Sequence, residues 1–116
     1  MNSIKTQLLE RLDIVRNLGE DHGGENEKEP IQKTFDMARE VIESHYIAKP
    51  FLIGVTDEGN ALFEFHENSR YNYADITFLD DGTVACYKKG LGEESEMFDT
   101  HYTSDKFVVF FEQLVE

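Results

Sequence analysis

The chain has 116 residues, 24 Asp and Glu against 11 Lys and Arg, a formal net charge of −13 at pH 7, and 40% hydrophobic residues. That length suits one domain, no apolar run reaches the about eighteen residues a membrane span needs, and nine Phe with five Tyr supply core material that a disordered chain lacks. The acidity repels phosphate, so neither direct nucleic-acid binding nor docking on an anionic membrane is expected, and the one cysteine, Cys86, leaves no internal disulfide.

Met1 to Lys5 runs into charged residues and not into an apolar stretch, so no secretory leader is expected. With a single cysteine this points to the cytoplasm. Ile4, Leu8, Leu12 and Val15 recur at helical spacing and predict a first helix over about 3–18, with Ser3 as its N-cap and Gly19 just past its end. Residues 19–29 hold three glycines and five acids against one Lys, which reads as a solvated loop. Pro30 then opens a second helix over about 30–46, striped by Ile31, Phe35, Ala38, Val41, Ile42 and Tyr46. Pro50 forbids its continuation.

From Phe51 the period falls to two. Strands are predicted over about 51–56, 61–66, 71–79 and 83–88, with a fifth over 96–100. Turn chemistry separates them: Asp57-Glu58-Gly59-Asn60, Glu67 to Arg70, Asp80-Asp81-Gly82, and Lys89 to Glu93. Thr103-Ser104-Asp105 supplies a cap for a last helix over about 104–115, with Phe107, Phe111 and Leu114 on its inner side. The apolar side of that helix is wide. Either it fills a groove against the sheet, or part of it forms a homodimer interface. Short connections between consecutive strands give an α+β fold, a four- to five-stranded antiparallel meander with two N-terminal helices and one C-terminal helix on one face.

The chemistry-bearing residues form no catalytic set. His22, His45, His66 and His101 lack metal-ligand spacing, so no metal or other cofactor is expected. Cys86 lies inside a predicted strand and reads as a small core hydrophobe. Gly23-Gly24 and Gly90-x-Gly92 match no phosphate-binding loop. Asp80-Asp81-Gly82 beside Glu93 to Glu96 offers oxygen ligands for calcium without the full loop pattern. Glu64 and Asp75 fall within strands on the less apolar face. If that face is open they are solvated, and if covered their pKa rises by desolvation. Tyr71, Tyr73 and Tyr87 with Phe63 or Phe65 form either an aromatic patch for a protein partner or ordinary cross-strand packing.

Pro50-Phe51-Leu52-Ile53, Ala61-Leu62-Phe63-Glu64-Phe65, Tyr73-Ala74-Asp75-Ile76-Thr77-Phe78 and Asp81-Gly82-Thr83-Val84 together resemble a pattern shared by a diffuse group of small uncharacterised bacterial α+β proteins, over roughly residues 10–115. Many members carry a Trp-Asp-Gly segment before the second helix, where this chain reads His22-Gly23-Gly24. The resemblance implies the same fold and a neighbourhood of mobile or toxin–antitoxin-like genes. It carries over no activity and no catalytic residue.

The leading expectation is a non-enzymatic protein-binding or regulatory module that docks a basic partner through Glu64, Tyr73, Asp75, Glu93, Glu94 and Glu96. A second expectation is a nucleic-acid-mimicking inhibitor or antitoxin-like protein, with Glu93, Glu94, Glu96 and Asp99 gathered near Asp80 and Asp81. A third is a small enzyme or metal site in which His66 or His101 meets carboxylates in a pocket.

Overall fold

The computed structural model describes residues 3–18, 28–68 and 70–116. In chain order these form α1 (Ser3–Arg16), α2 (Gln32–Ser44), β1 (Leu52–Val55), β2 (Ala61–His66), β3 (Tyr71–Phe78), β4 (Thr83–Gly90), β5 (Ser95–His101) and α3 (Asp105–Val115). The strands build one antiparallel sheet in the order β1-β2-β3-β4-β5, so each strand lies beside its neighbour in sequence. This is the expected α+β meander, with two helices before it and one after. Most of the expected 19–29 loop, with Gly19, His22 and Gly23-Gly24, lies outside the described residues.

The second helix starts later and stops sooner than its hydrophobic stripe suggests. Ile31 is extended (φ −83°, ψ 104°), and its N–H donates to the Gly59 carbonyl at 2.7 Å. That bond holds the chain across the β1–β2 turn, so Pro30 precedes the helix instead of opening it. Buried Thr34 then joins helix to sheet: its Oγ1 donates to the Ile31 carbonyl at 2.7 Å and accepts from the Ala61 N–H at 3.0 Å. At the other end His45 is extended (φ −123°, ψ 151°). The turn places Tyr46, expected on the buried stripe, at 81% exposure and gives the inward position to Ile47.

The turns follow their residue chemistry. Gly59 and Gly82 both sit at φ +92°, a conformation costly for any residue with a Cβ. At the second of these turns the Leu79 N–H donates to the Thr83 carbonyl at 2.8 Å, and Asp81 Oδ1 accepts from the Thr83 N–H at 2.9 Å. The β4–β5 turn begins two residues later than expected, because the Gly90 N–H bonds the Glu94 carbonyl and extends β4 through Lys89 and Gly90.

On the helix-covered face the cross-strand row Ile53–Phe63–Ile76–Cys86–Phe98 runs through all five strands. All but Phe98 are buried, and Phe98 packs against the same core. Phe63 lies 4.6 Å from Phe51 and 4.9 Å from Phe78 (ring centroids). Phe111 of α3 closes over this aromatic group, 6.0 Å from Phe51 and 5.8 Å from Phe107. The last helix begins as expected, with Ser104 Oγ accepting from the Phe107 N–H at 3.1 Å. Much of its wide apolar side is consumed internally: Phe107, Phe110, Phe111, Leu114 and Val115 are buried within one chain, while Val109 stays 55% exposed. These five residues fill the groove expected against the sheet.

One irregularity redistributes the tyrosines. The β3–β4 register shifts between Tyr71, opposite Gly90, and Tyr73, opposite Lys89. An extra residue in one strand reverses which face the following side chains take. Tyr71 therefore joins the buried side while Tyr73 points to the other. The expected patch of Tyr71, Tyr73 and Tyr87 with Phe63 or Phe65 is accordingly split, because Tyr71, Phe63 and Phe65 belong to the core.

Candidate binding face

The face of the sheet away from the helices carries the candidate site. Its central row is Leu52–Glu64–Asp75–Tyr87–Met97, one residue from each strand in register. Beside it runs His66–Tyr73–Lys89–Ser95, and on the other side Gly54–Leu62–Thr77–Ala85–Asp99. Strand alternation alone places these side chains together. Leu52 and Met97 cap the two ends of the central row at 56% and 79% exposure, while Glu64, Tyr73, Asp75 and Tyr87 between them are half-buried by their neighbours.

Glu64 and Asp75 face each other across β2 and β3. Like charges directly opposite in a sheet repel. The Tyr73 hydroxyl relieves part of this by donating to Glu64 Oε2 at 2.9 Å. Among the described residues the ion pairs lie elsewhere, at Arg16–Asp36, Arg39–Asp13, Arg39–Glu43, Arg70–Glu116 and Lys88–Glu96. Among the described residues neither carboxylate of the pair has a cation of its own. Burial raises the Asp75 pKa above the ordinary carboxylate value, the Tyr73 hydroxyl opposes that rise, and the Glu64 charge adds to it. The Tyr73 phenol is pushed well up, first by burial and then by its hydrogen bond to Glu64 and the charge of Asp75. The Tyr73 and Tyr87 rings stand 6.3 Å apart and the His66 and Tyr73 rings 6.1 Å, so the carboxylates sit in an aromatic surround.

Of the six residues expected to bind a partner, Glu64, Tyr73 and Asp75 converge here and the other three do not. Glu93 and Glu94 lie in the exposed β4–β5 turn, where the Glu94 carboxylate folds over Gly90 and Gly92. Glu96 points to the helix side and pairs with Lys88 at 3.8 Å. Asp80 and Asp81 sit at the opposite end of β4, an eight-residue strand, roughly 25 Å away at the usual rise per residue. The acidic array expected for charge mimicry, and the calcium-like gathering of Asp80, Asp81 and Glu93 to Glu96, are divided by that length. Leu52 and Met97 went unselected in the sequence because only the cross-strand register puts them in one row with the carboxylates.

Among the described residues the histidines do not meet. His66 pairs with Tyr73 near one end of the sheet, and His101 pairs with Thr83 at the other, its Nδ1 2.8 Å from Thr103 Oγ1. His45 is a packing residue, with Nδ1 2.9 Å from the Val41 carbonyl and its ring edge-on to Phe111 at 5.1 Å. Among the described residues no group of three or more His, Cys, Asp or Glu is placed to hold a metal ion. Cys86 is buried, and its thiol is pushed up to about 12, first by burial and then by Asp99, Asp75 and Glu96. A thiol so hard to ionise makes a poor nucleophile. Among the described residues no helix is long and apolar enough to cross a membrane.

No family model matches the chain, and no curated protein or solved structure shows significant similarity to it.

Proposed function

We propose that this chain is a non-enzymatic protein-binding module whose uncovered sheet face receives basic side chains of a protein partner. The observation that carries the reading is the facing pair Glu64 and Asp75, which among the described residues lacks a cation of its own and is flanked by Tyr73, Tyr87, Leu52 and Met97. An arginine or lysine between the two carboxylates supplies the missing charge, and the rings and the two apolar ends supply the desolvated contact area on which interfaces depend. The net charge of −13 steers a basic partner toward the protein before contact. The separation of Asp80 and Asp81 from Glu93 and Glu94 argues for this local docking over mimicry of a nucleic-acid backbone.

The test is capture from a lysate at about 0.05 M and about 0.5 M salt, a range over which screening of exposed charges strengthens greatly. A stoichiometric basic protein held at low salt, lost at high salt, and lost at low salt by the Glu64→Gln, Asp75→Asn double variant is the expected result. Retention of that protein by a correctly folded double variant refutes the role given to this face.

A further inference from the structure

The last strand leaves a bonding edge open. The Gly90 N–H bonds Glu94 O and the Tyr102 N–H bonds Gly82 O, so the residues of β5 that pair with β4 are the even-numbered ones, Glu96, Phe98 and Thr100. In an antiparallel ladder the intervening residues direct N–H and C=O the other way. Those of Ser95, Met97 and Asp99 therefore point outward along the sheet edge. The strand is seven residues long and contains no proline, lysine or bulge; its charges, Glu96 and Asp99, are both acidic and guard the edge against acidic strands but not against basic ones. Alongside it, between β5 and α3, runs a groove floored by Phe98, Val109 and Phe110 and rimmed by Glu96, Asp105 and Lys106. Lys106 lies over the Phe98 ring at 4.3 Å, and Val109 is 55% exposed.

We propose that this edge accepts an extended basic segment of a protein partner as a sixth strand. Backbone bonds to Ser95, Met97 and Asp99 supply the affinity, and the side chains on either side supply the selectivity. Opposite Asp99 and Glu96 the added strand carries lysine or arginine. Opposite Met97 and Phe98 it carries apolar residues, one over the open face and one toward the groove. The charge around the edge favours a basic occupant: Glu93 and Glu94 in the turn before it and Glu96, Asp99 and Asp105 along it outnumber Lys106, which lies over Phe98, and Lys88, which is paired with Glu96. A second copy of a chain with net charge −13 brings the same acids to the contact and is repelled. The edge shares Met97 with the open face, but its bonds are made by the backbone of β5 and not by Glu64 or Asp75, so loss of the carboxylate pair and loss of edge pairing are separate results.

The probe is an acetylated and amidated peptide, Thr-Lys-Val-Val-Lys-Thr, whose order satisfies the four positions in either strand direction. The readout is hydrogen exchange of single amides in the full chain. Without peptide, Ser95, Met97 and Asp99 exchange fast while Glu96, Phe98 and Thr100 exchange slowly. With about nine-tenths of the protein occupied, the first three slow by about tenfold. The same peptide N-methylated at both valines keeps its charge and gives no such protection. Met97→Pro removes an outward N–H without taking a bond from β4, keeps the fold, and abolishes the effect. Peptide binding with these amides still unprotected overturns the proposal, because the attraction is then charge alone. Protection in the absence of peptide that grows with protein concentration, alongside a dimer in sedimentation, overturns it in favour of a second copy.

Discussion

The two faces of the sheet are cut from the same five strands and differ by one residue of phase. The row Ile53–Phe63–Ile76–Cys86–Phe98 and the row Leu52–Glu64–Asp75–Tyr87–Met97 are adjacent positions on every strand. The first is roofed by three helices and wholly apolar, so each buried side chain contributes the transfer energy of its area, about 25 cal/mol per Å². No described element roofs the second, and its middle holds two carboxylates with apolar residues at both ends. A backbone of uniform geometry thus divides stability from recognition by alternation alone. The contrast predicts that substitutions at equivalent positions on the two faces have very different costs.

The largest difference is expected at Phe63. Its ring is fully buried among Phe51, Phe78 and Phe111, so Phe63→Ala leaves a cavity and removes about 3–5 kcal/mol. Tyr87→Ala, one strand-phase away on the open face, should cost no more than about 1 kcal/mol, the scale of a cross-strand pair. Urea denaturation of both variants measures this. Equal losses would mean that the open face is also a packed layer. Next in size is Gly59→Ala. The residue sits at φ +92°, and a Cβ there runs into the Glu29 carbonyl oxygen, a backbone atom that cannot swing aside. The loss should exceed about 1 kcal/mol. Because the Gly59 carbonyl also receives the Ile31 N–H, hydrogen exchange should quicken at Ile31 and at the start of α2 before it changes in β5.

The covered face was the more legible of the two in the sequence. Its apolar residues recur at period two in the strands and at helical spacing in α1 and α3, and the Asp-Gly turns fix where the period breaks. Two features were not legible. Tyr46 continues the stripe of α2, yet His45 leaves helical geometry and exposes it. Tyr71 and Tyr73 share one parity, yet the bulge sends them to opposite faces. Both depend on a local backbone departure that spacing does not encode. The candidate site was half legible for a related reason. Alternation assigned Glu64 and Asp75 to one face, but their being directly opposite, with Tyr73 bonded to Glu64 and Met97 at the end of the row, is a property of register. Register depends on turn lengths and on the bulge, so Glu93, Glu94 and Glu96 were grouped with residues from which the topology separates them.

A smaller effect separates the roof from the face it covers. Ser104→Ala removes the acceptor for the Phe107 N–H and should cost about 1 kcal/mol. Since α3 carries Phe107 and Phe111 onto the core, exchange should rise in α3, while salt-dependent capture of a partner by the open face stays as in the parent chain. Loss of capture in this variant would show that the two faces are coupled.

The smallest effect has the opposite sign, and it bears most directly on the open face. The Asp75 pKa is raised above its ordinary value by burial, with the Glu64 charge in support. The folded state therefore holds that proton more tightly than the unfolded chain. Stability from this group is fully present below the unfolded pKa and is lost as pH rises through the higher folded value. At neutral pH the ionised Asp75 thus costs stability, and Asp75→Asn should gain a little, below about 1 kcal/mol at a site still half open to solvent. The gain should vanish when both proteins are compared below the ordinary Asp range, where Asp75 is protonated in either state. Urea denaturation at neutral and acid pH reads both points, and an Asn variant less stable than the parent at neutral pH would mean that the ionised carboxylate is held favourably after all. A core position gives no such result, since almost every change there costs stability. A substitution that stabilises the free protein and weakens its hold on a basic partner marks a residue kept charged for binding and not for folding.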